Sequence, residues 1–138
     1  MTPIELQIDD HVYRIGKLDA LSQFHVARRL APVMAAIGGK VVELASSNPG
    51  MPQDEWMMTL FAPVADAVSR LTDDDSNYII TTVLSVVYRQ QDEKWAPVQV
   101  NKRMMFLDID MQLMLRLTVE SIKGNLGSFF SGVVGGQL

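Results

Sequence analysis

Asp73-Asp74-Asp75-Ser76-Asn77-Tyr78-Ile79-Ile80-Thr81-Thr82-Val83-Leu84-Ser85-Val86-Val87-Tyr88 decides the fold. Its β-branched residues suit a strand, whereas Ile79, Val83, Val86 and Val87 recur at helical spacing behind an acidic start that suits a helix N-terminus. The spacing predicts one helix over 73–88, capped by Thr72 or Asp73. If that stretch is helical, the chain becomes a helical protein with small β elements at its margins.

Upstream, a second helix is expected over 54–71, opened by Asp54-Glu55 and carrying Met57, Leu60 or Phe61, Val64, Val68 and Leu71. Before it, Ser-Ser-Asn-Pro-Gly-Met-Pro over 46–52 reads as a loop. The first helix is expected over 18–45, with Asp19 as N-cap. Its apolar stripe is Leu21, Phe24, Val26, Leu30, Val33, Ile37, Val41 and Leu44. Pro32 and Gly38-Gly39 predict a kink or split in it. At the N-terminus, Ile4, Leu6 and Ile8 alternate with polar residues and lead through Asp9-Asp10 to Val12 and Ile15, a hairpin over 1–16. A lone hairpin is marginal in water, so it should rest on the helices.

Downstream, residues 89–103 are polar, with one short apolar alternation at Trp95, Pro97-Val98 and Val100, and read as a second hairpin or an extended arm. A last helix over 108–130 begins at Asp108 or Asp110, and 131–138 should fray. The expected fold class is mainly α (α+β): about four helices in one domain, a small N-terminal β-hairpin and a second short hairpin.

Composition narrows the function. The 138 residues suit a single domain, and 48% hydrophobic with 20% charged residues is globular. A net charge of −4 speaks against a nucleic-acid surface, and the positive cluster Asn101-Lys102-Arg103 is too small for one. Zero cysteines remove disulfides and thiol chemistry. With no secretory start and no membrane-length apolar run, the expected setting is the cytoplasm, without a membrane.

Few residues carry recognisable chemistry. Asp73, Asp75 and Asn77 match three calcium-loop positions, but Tyr78 stands where glycine is needed and Leu84 where a bidentate Glu is needed. Asp108 and Asp110 read as helix-start acids rather than metal ligands. His25 has no nucleophile or positioned partner beside it, and His11 reads as an exposed hairpin residue. Neither a phosphate loop nor a dinucleotide turn occurs. No cofactor and no catalytic residue is expected.

Nine methionines are unusual, and several are paired. Neighbours on a helix point about 100° apart, so Met57 and Met58 cannot both face one core. Methionine adapts to irregular apolar partners. An apolar groove near Met57, Met58, Met104, Met105, Phe106, Phe129 and Phe130 is therefore expected to bind another protein.

The run from Leu18 to Pro32, LDALSQFHVARRLAP, behind a short hairpin, resembles tail assembly chaperones of long-tailed phages and prophages. The closing Ile122 to Phe130, IKGNLGSFF, is similar to their ends. The resemblance implies a non-enzymatic factor in the infected host's cytoplasm. Such a factor coats the tape measure protein, keeps it soluble and helps tail tube subunits polymerise around it. Two other readings stay open: a structural adaptor or ring-forming tail or head-completion subunit, self-associating through hairpin edges, and a small divalent-metal enzyme using Asp73 to Asp75 or Asp108 with Asp110.

Overall fold

A computed structural model describes the backbone of residues 3–47, 50 and 52–134, and their side chains apart from 37, 39–47, 53–54, 56–57, 60–61, 64 and 130–134. In chain order the elements are β1 (Ile4–Ile8), β2 (His11–Ile15), α1 (Ala20–Ser47), α2 (Gln53–Ser69), α3 (Asp73–Leu84), β3 (Val87–Gln91), β4 (Lys94–Pro97), β5 (Gln99–Val100), β6 (Arg103–Met104) and α4 (Met111–Val134). Most of the 46–52 loop, and the tail from residue 135, lie outside the described residues.

The expectation of a mainly α protein with separate hairpins is overturned. β1 to β4 form one antiparallel sheet in sequence order, and β5 pairs with β6, so the fold is mixed α+β. The helix expected over 73–88 stops at Leu84, with Ser85 as its C-cap. Val87, Tyr88 and Arg89 then pair with Ile15, Arg14 and Tyr13. The β-branched run was ambiguous because its first half packs at helical spacing while its end alternates, Val87 and Arg89 turning inward. The N-terminal hairpin thus gains a third strand instead of resting on helices alone.

The helix starts follow local chemistry. Asp19 Oδ1 accepts from Ser22 N at 2.7 Å, Thr72 Oγ1 from Asp75 N at 3.0 Å and Asp110 Oδ1 from Leu113 N at 2.9 Å, each satisfying an orphan donor. Despite Pro32, α1 is a single 28-residue helix and is not split. Pro32 and Arg28, whose carbonyl loses its donor, both lie on the exposed side, where water can replace the bond. The turns use left-handed Asp9, Asp92, Asn101 and Lys102.

One core joins the layers. Tyr13, Ile15, Val26, Val83, Leu84, Val87, Val98 and Leu117 are fully buried within it. Ser121, also fully buried, donates to Val83 O at 2.7 Å and fixes α4 against α3. Asn125 ties α4 to the exit of the first hairpin: its Oδ1 accepts from Leu18 N at 2.7 Å, and its Nδ2 donates to Gly16 O at 3.1 Å.

Candidate functional site

A strap over residues 105–110 connects the β5–β6 ribbon to α4, and a buried cation holds it. Arg89, on β3, is 4% exposed. Its Nη1 donates to both oxygens of Asp108, at 3.0 and 2.9 Å, while the guanidinium lies over the Phe106 ring at 4.4 Å. Nη2 meets His11 Nε2. Arginine only donates, so that imidazole nitrogen is the acceptor of the pair. The hydrogen bonds from Arg89 hold the Asp108 carboxyl below its usual range. Phe106 is half-buried, Asp108 reaches Arg89 from the surface and Ile109 is buried, while Met105 is exposed and Leu107 wholly so.

Beside this clamp the fully buried Tyr13 hydroxyl has no well-formed hydrogen bond among the described residues. Burial pushes its pKa up, against the opposing charge of Arg89. A raised folded value means the neutral phenol contributes stability below the ordinary value of about 10, lost as pH rises through the folded one. Tyr13→Phe should therefore be at least as stable as the parent at pH 7 and should lose its stability less steeply above pH 10. Melting curves from pH 7 to 11 check this, and a marked loss at pH 7 would refute it.

Beyond the strap, α4 carries an apolar row that the core does not use. Met111, Leu115, Val119 and Phe129 are 71, 43, 52 and 58% exposed. At about 100° per residue they fall, with half-buried Ile122, within an arc of about 80°. Near its C-terminal end the row meets α1 at a groove of about 240 Å³ lined by Phe24, Ala27, Leu126 and Phe129, with Asn125 and Gln23 also present. Leu21 and Phe24, on the exposed side of α1, are 67 and 59% exposed.

The residues singled out in sequence are distributed along this surface and beyond it. Met104 and Phe106 are half-buried against the core, Met105 points outward, Phe129 lines the α1–α4 groove, and Met58 is 78% exposed on α2. The side chains of Met57 and Phe130 lie outside the described residues. Met111 and Phe129 are separated by about 27 Å of helix. The strap and the groove therefore lie at opposite ends of α4 and are not walls of one pocket. Leu21, Phe24 and Leu107 were missed as surface residues. The first two stand far around the helix from Val26 and Leu30, a signal that one stripe could not bury all four.

The acids have other uses. Asp75 accepts from Arg29 Nε at 3.1 Å, and Arg29 stacks on Tyr78 at 3.9 Å. Among the described residues no group of three or more His, Cys, Asp or Glu could hold a metal, and no helix is long and apolar enough to cross a membrane.

The profile of phage tail assembly chaperone proteins, TAC, matches residues 9–136. The chain belongs to the phage tail assembly chaperone family. The match begins after β1 and takes in β2, the strap and α4. Comparison with curated proteins gave no match, and neither did comparison with solved structures. Membership makes this a viral protein of tail assembly, a role consistent with exposed apolar surface.

Proposed function

We propose that this chaperone acts without catalysis in the host cytoplasm, holding the tape measure protein soluble and presenting it to tail tube subunits. An amphipathic helix of the tape measure protein lies along the track from Met105 and Leu107, over Met111, Leu115 and Val119, to Phe129. The supporting observation is the row of exposed apolar side chains on α4, which a soluble domain has no internal reason to display. Laying a helix along an apolar face is a recurring mode of recognition, and two methionines on the track, Met105 and Met111, suit a partner of varied side chains.

The test is co-expression with the tape measure protein followed by affinity capture. Met111→Ser with Leu115→Ser should lower the captured, soluble tape measure protein at least tenfold, with melting temperature nearly unchanged because both side chains are exposed. Unaltered capture alongside a large drop in melting temperature would show that these residues serve the fold. A stable ring on a sizing column, with no capture, would instead favour a structural subunit joined through β1, which pairs only with β2 among the described residues.

A further inference from the structure

The four-stranded sheet ends in β1 on one side and β4 on the other, and the two edges differ. Gly16 N donates to Val86 O at 2.8 Å. By the alternation of an antiparallel ladder, Arg14 then turns its backbone groups toward β3, and Tyr13 and Ile15 turn theirs toward β1. Their partners Leu6 and Ile4 are thereby engaged, so the N–H and C=O groups of Glu5 and Gln7 point out from the free side of β1. At the far edge, Val98 N donates to Val87 O at 3.1 Å. The same alternation makes Trp95 and Pro97 the outward residues of β4. Pro97 has no N–H to offer, which blunts that edge. Both outward residues of β1 keep donor and acceptor.

The side chains of β1 suit a strand of its own sequence. Ile4, Leu6 and Ile8 share one face, where Leu6 and Ile8 pack into the core and Ile4 stays 38% exposed. Glu5 and Gln7 stand exposed on the other face. Arg14 donates to Glu5 Oε1 at 2.7 Å, so the second carboxylate oxygen can accept from elsewhere.

We propose that β1 pairs antiparallel with β1 of a second copy of this chain, about a two-fold axis at Leu6, joining the two sheets into one. That register sets Glu5 opposite Gln7 of the second copy and Gln7 opposite its Glu5, so the residues with outward backbone groups form the hydrogen-bonded pairs. On the exposed face a carboxylate meets an amide at both pairs. On the core face Leu6 meets its own counterpart and Ile4 meets Ile8, extending the apolar layer across the axis. The neighbouring registers with the same backbone phase fail. Sliding one way sets Glu5 against Glu5 and puts Gln7 opposite Pro3, which has no N–H. Sliding the other way sets Glu5 against Asp9, which is like-charged and left-handed at φ 54°, past the end of the strand. The pairing uses the same patch on both copies and therefore stops at two. None of the strap and α4 residues lies on β1, so pairing there does not depend on what they hold.

Sedimentation equilibrium of the full chain should show monomer–dimer exchange in the micromolar range. Gln7→Pro removes an outward N–H and none that bonds β2, so it should weaken the dimer at least tenfold with little change in melting temperature. Gln7→Glu should weaken it about fivefold and Gln7→Lys strengthen it about threefold, as like or opposite charges face Glu5 at both pairs. The chain has no cysteine, so oxidation reads the register. Leu6→Cys should cross-link to itself readily, whereas Glu5→Cys and Gln7→Cys should cross-link mainly when mixed with each other. If Gln7→Pro fails to fold, the charge variants and the cross-links decide. A monomer up to millimolar concentration overturns the proposal, as does a dimer indifferent to the charge at position 7. Self-cross-linking of Glu5→Cys as fast as that of Leu6→Cys overturns it too. A dimer dissolved by Phe24→Ser but not by Gln7→Glu assigns the contact to the α1–α4 groove, and a ring of more than two copies sets β1 against another surface; either result also overturns it.

Discussion

Arg89→Ala should cost about 3 kcal/mol of folding stability, toward the lower end for breaking a buried ion pair. The substitution opens a cavity under the strap, strips Phe106 of the guanidinium stacked on it and releases Asp108 and His11 together. The value falls toward the low end because Asp108 is left facing water rather than stranded, its side chain being 55% exposed. Arg89→Met keeps most of the volume and removes the buried charge. Such exchanges are often neutral, so it should lie within about 1 kcal/mol of the parent. Chemical denaturation compares the two, and equal damage from both would show that the charge itself, not the filled space, holds the strap.

Acid should separate these variants further. Because the folded Asp108 value is depressed by Arg89, its contribution is present above the ordinary carboxylate value of about 4 and disappears as pH falls through the folded value. Asp108→Asn should therefore flatten the loss of stability below pH 4. Asp19, held low by the Ser22 backbone N–H, keeps a residual slope in every variant.

Asn125→Ala should be the second most damaging change, costing about 2 kcal/mol, or a fall in melting temperature of roughly 8 °C. One amide serves both ends of the molecule: it accepts from Leu18 N and donates to Gly16 O and Ser121 O. No other group shown is positioned to take over the Leu18 donor, so its loss costs more than that of an exposed side-chain bond. Asn125→Asp retains an acceptor for Leu18 but lacks the N–H groups, and should fall between the two in scanning calorimetry. An unchanged melting temperature for Asn125→Ala would mean that the hairpin exit is held elsewhere.

Local chemistry made part of this fold legible. Asp19 and the alternation in Ile4, Leu6 and Ile8 announced their elements directly. β3 was hidden because strand and helix signals overlap in Ser85-Val86-Val87-Tyr88, and only the pairing of Tyr13 with Arg89 decides between them. That partner lies far away in sequence, beyond any window of periodicity. Arg89 was unreadable for a related reason: within a polar run it resembles solvated surface, while the fold buries it under Phe106. The strap was read only in part. Pairing singled out Met105, whereas Leu107 gave no signal because its exposure depends on Asp108, the next residue, reaching Arg89. Phe24 looked like core because apolar residues on a helix are core by default, and its neighbour on α4, Phe129, lies at the far end of the chain.

The Leu18 to Asn125 bond joins positions 107 apart, and His11 meets Arg89 across 78. During synthesis the first hairpin therefore waits for its sheet partner until β3 has left the ribosome. Helices α1 and α2 can coil early, but the sheet cannot close before β3 emerges, nor the molecule lock before most of α4 has followed. Until then its own greasy faces stay uncovered, so this tail assembly chaperone is itself exposed to aggregation until its last long-range contacts close.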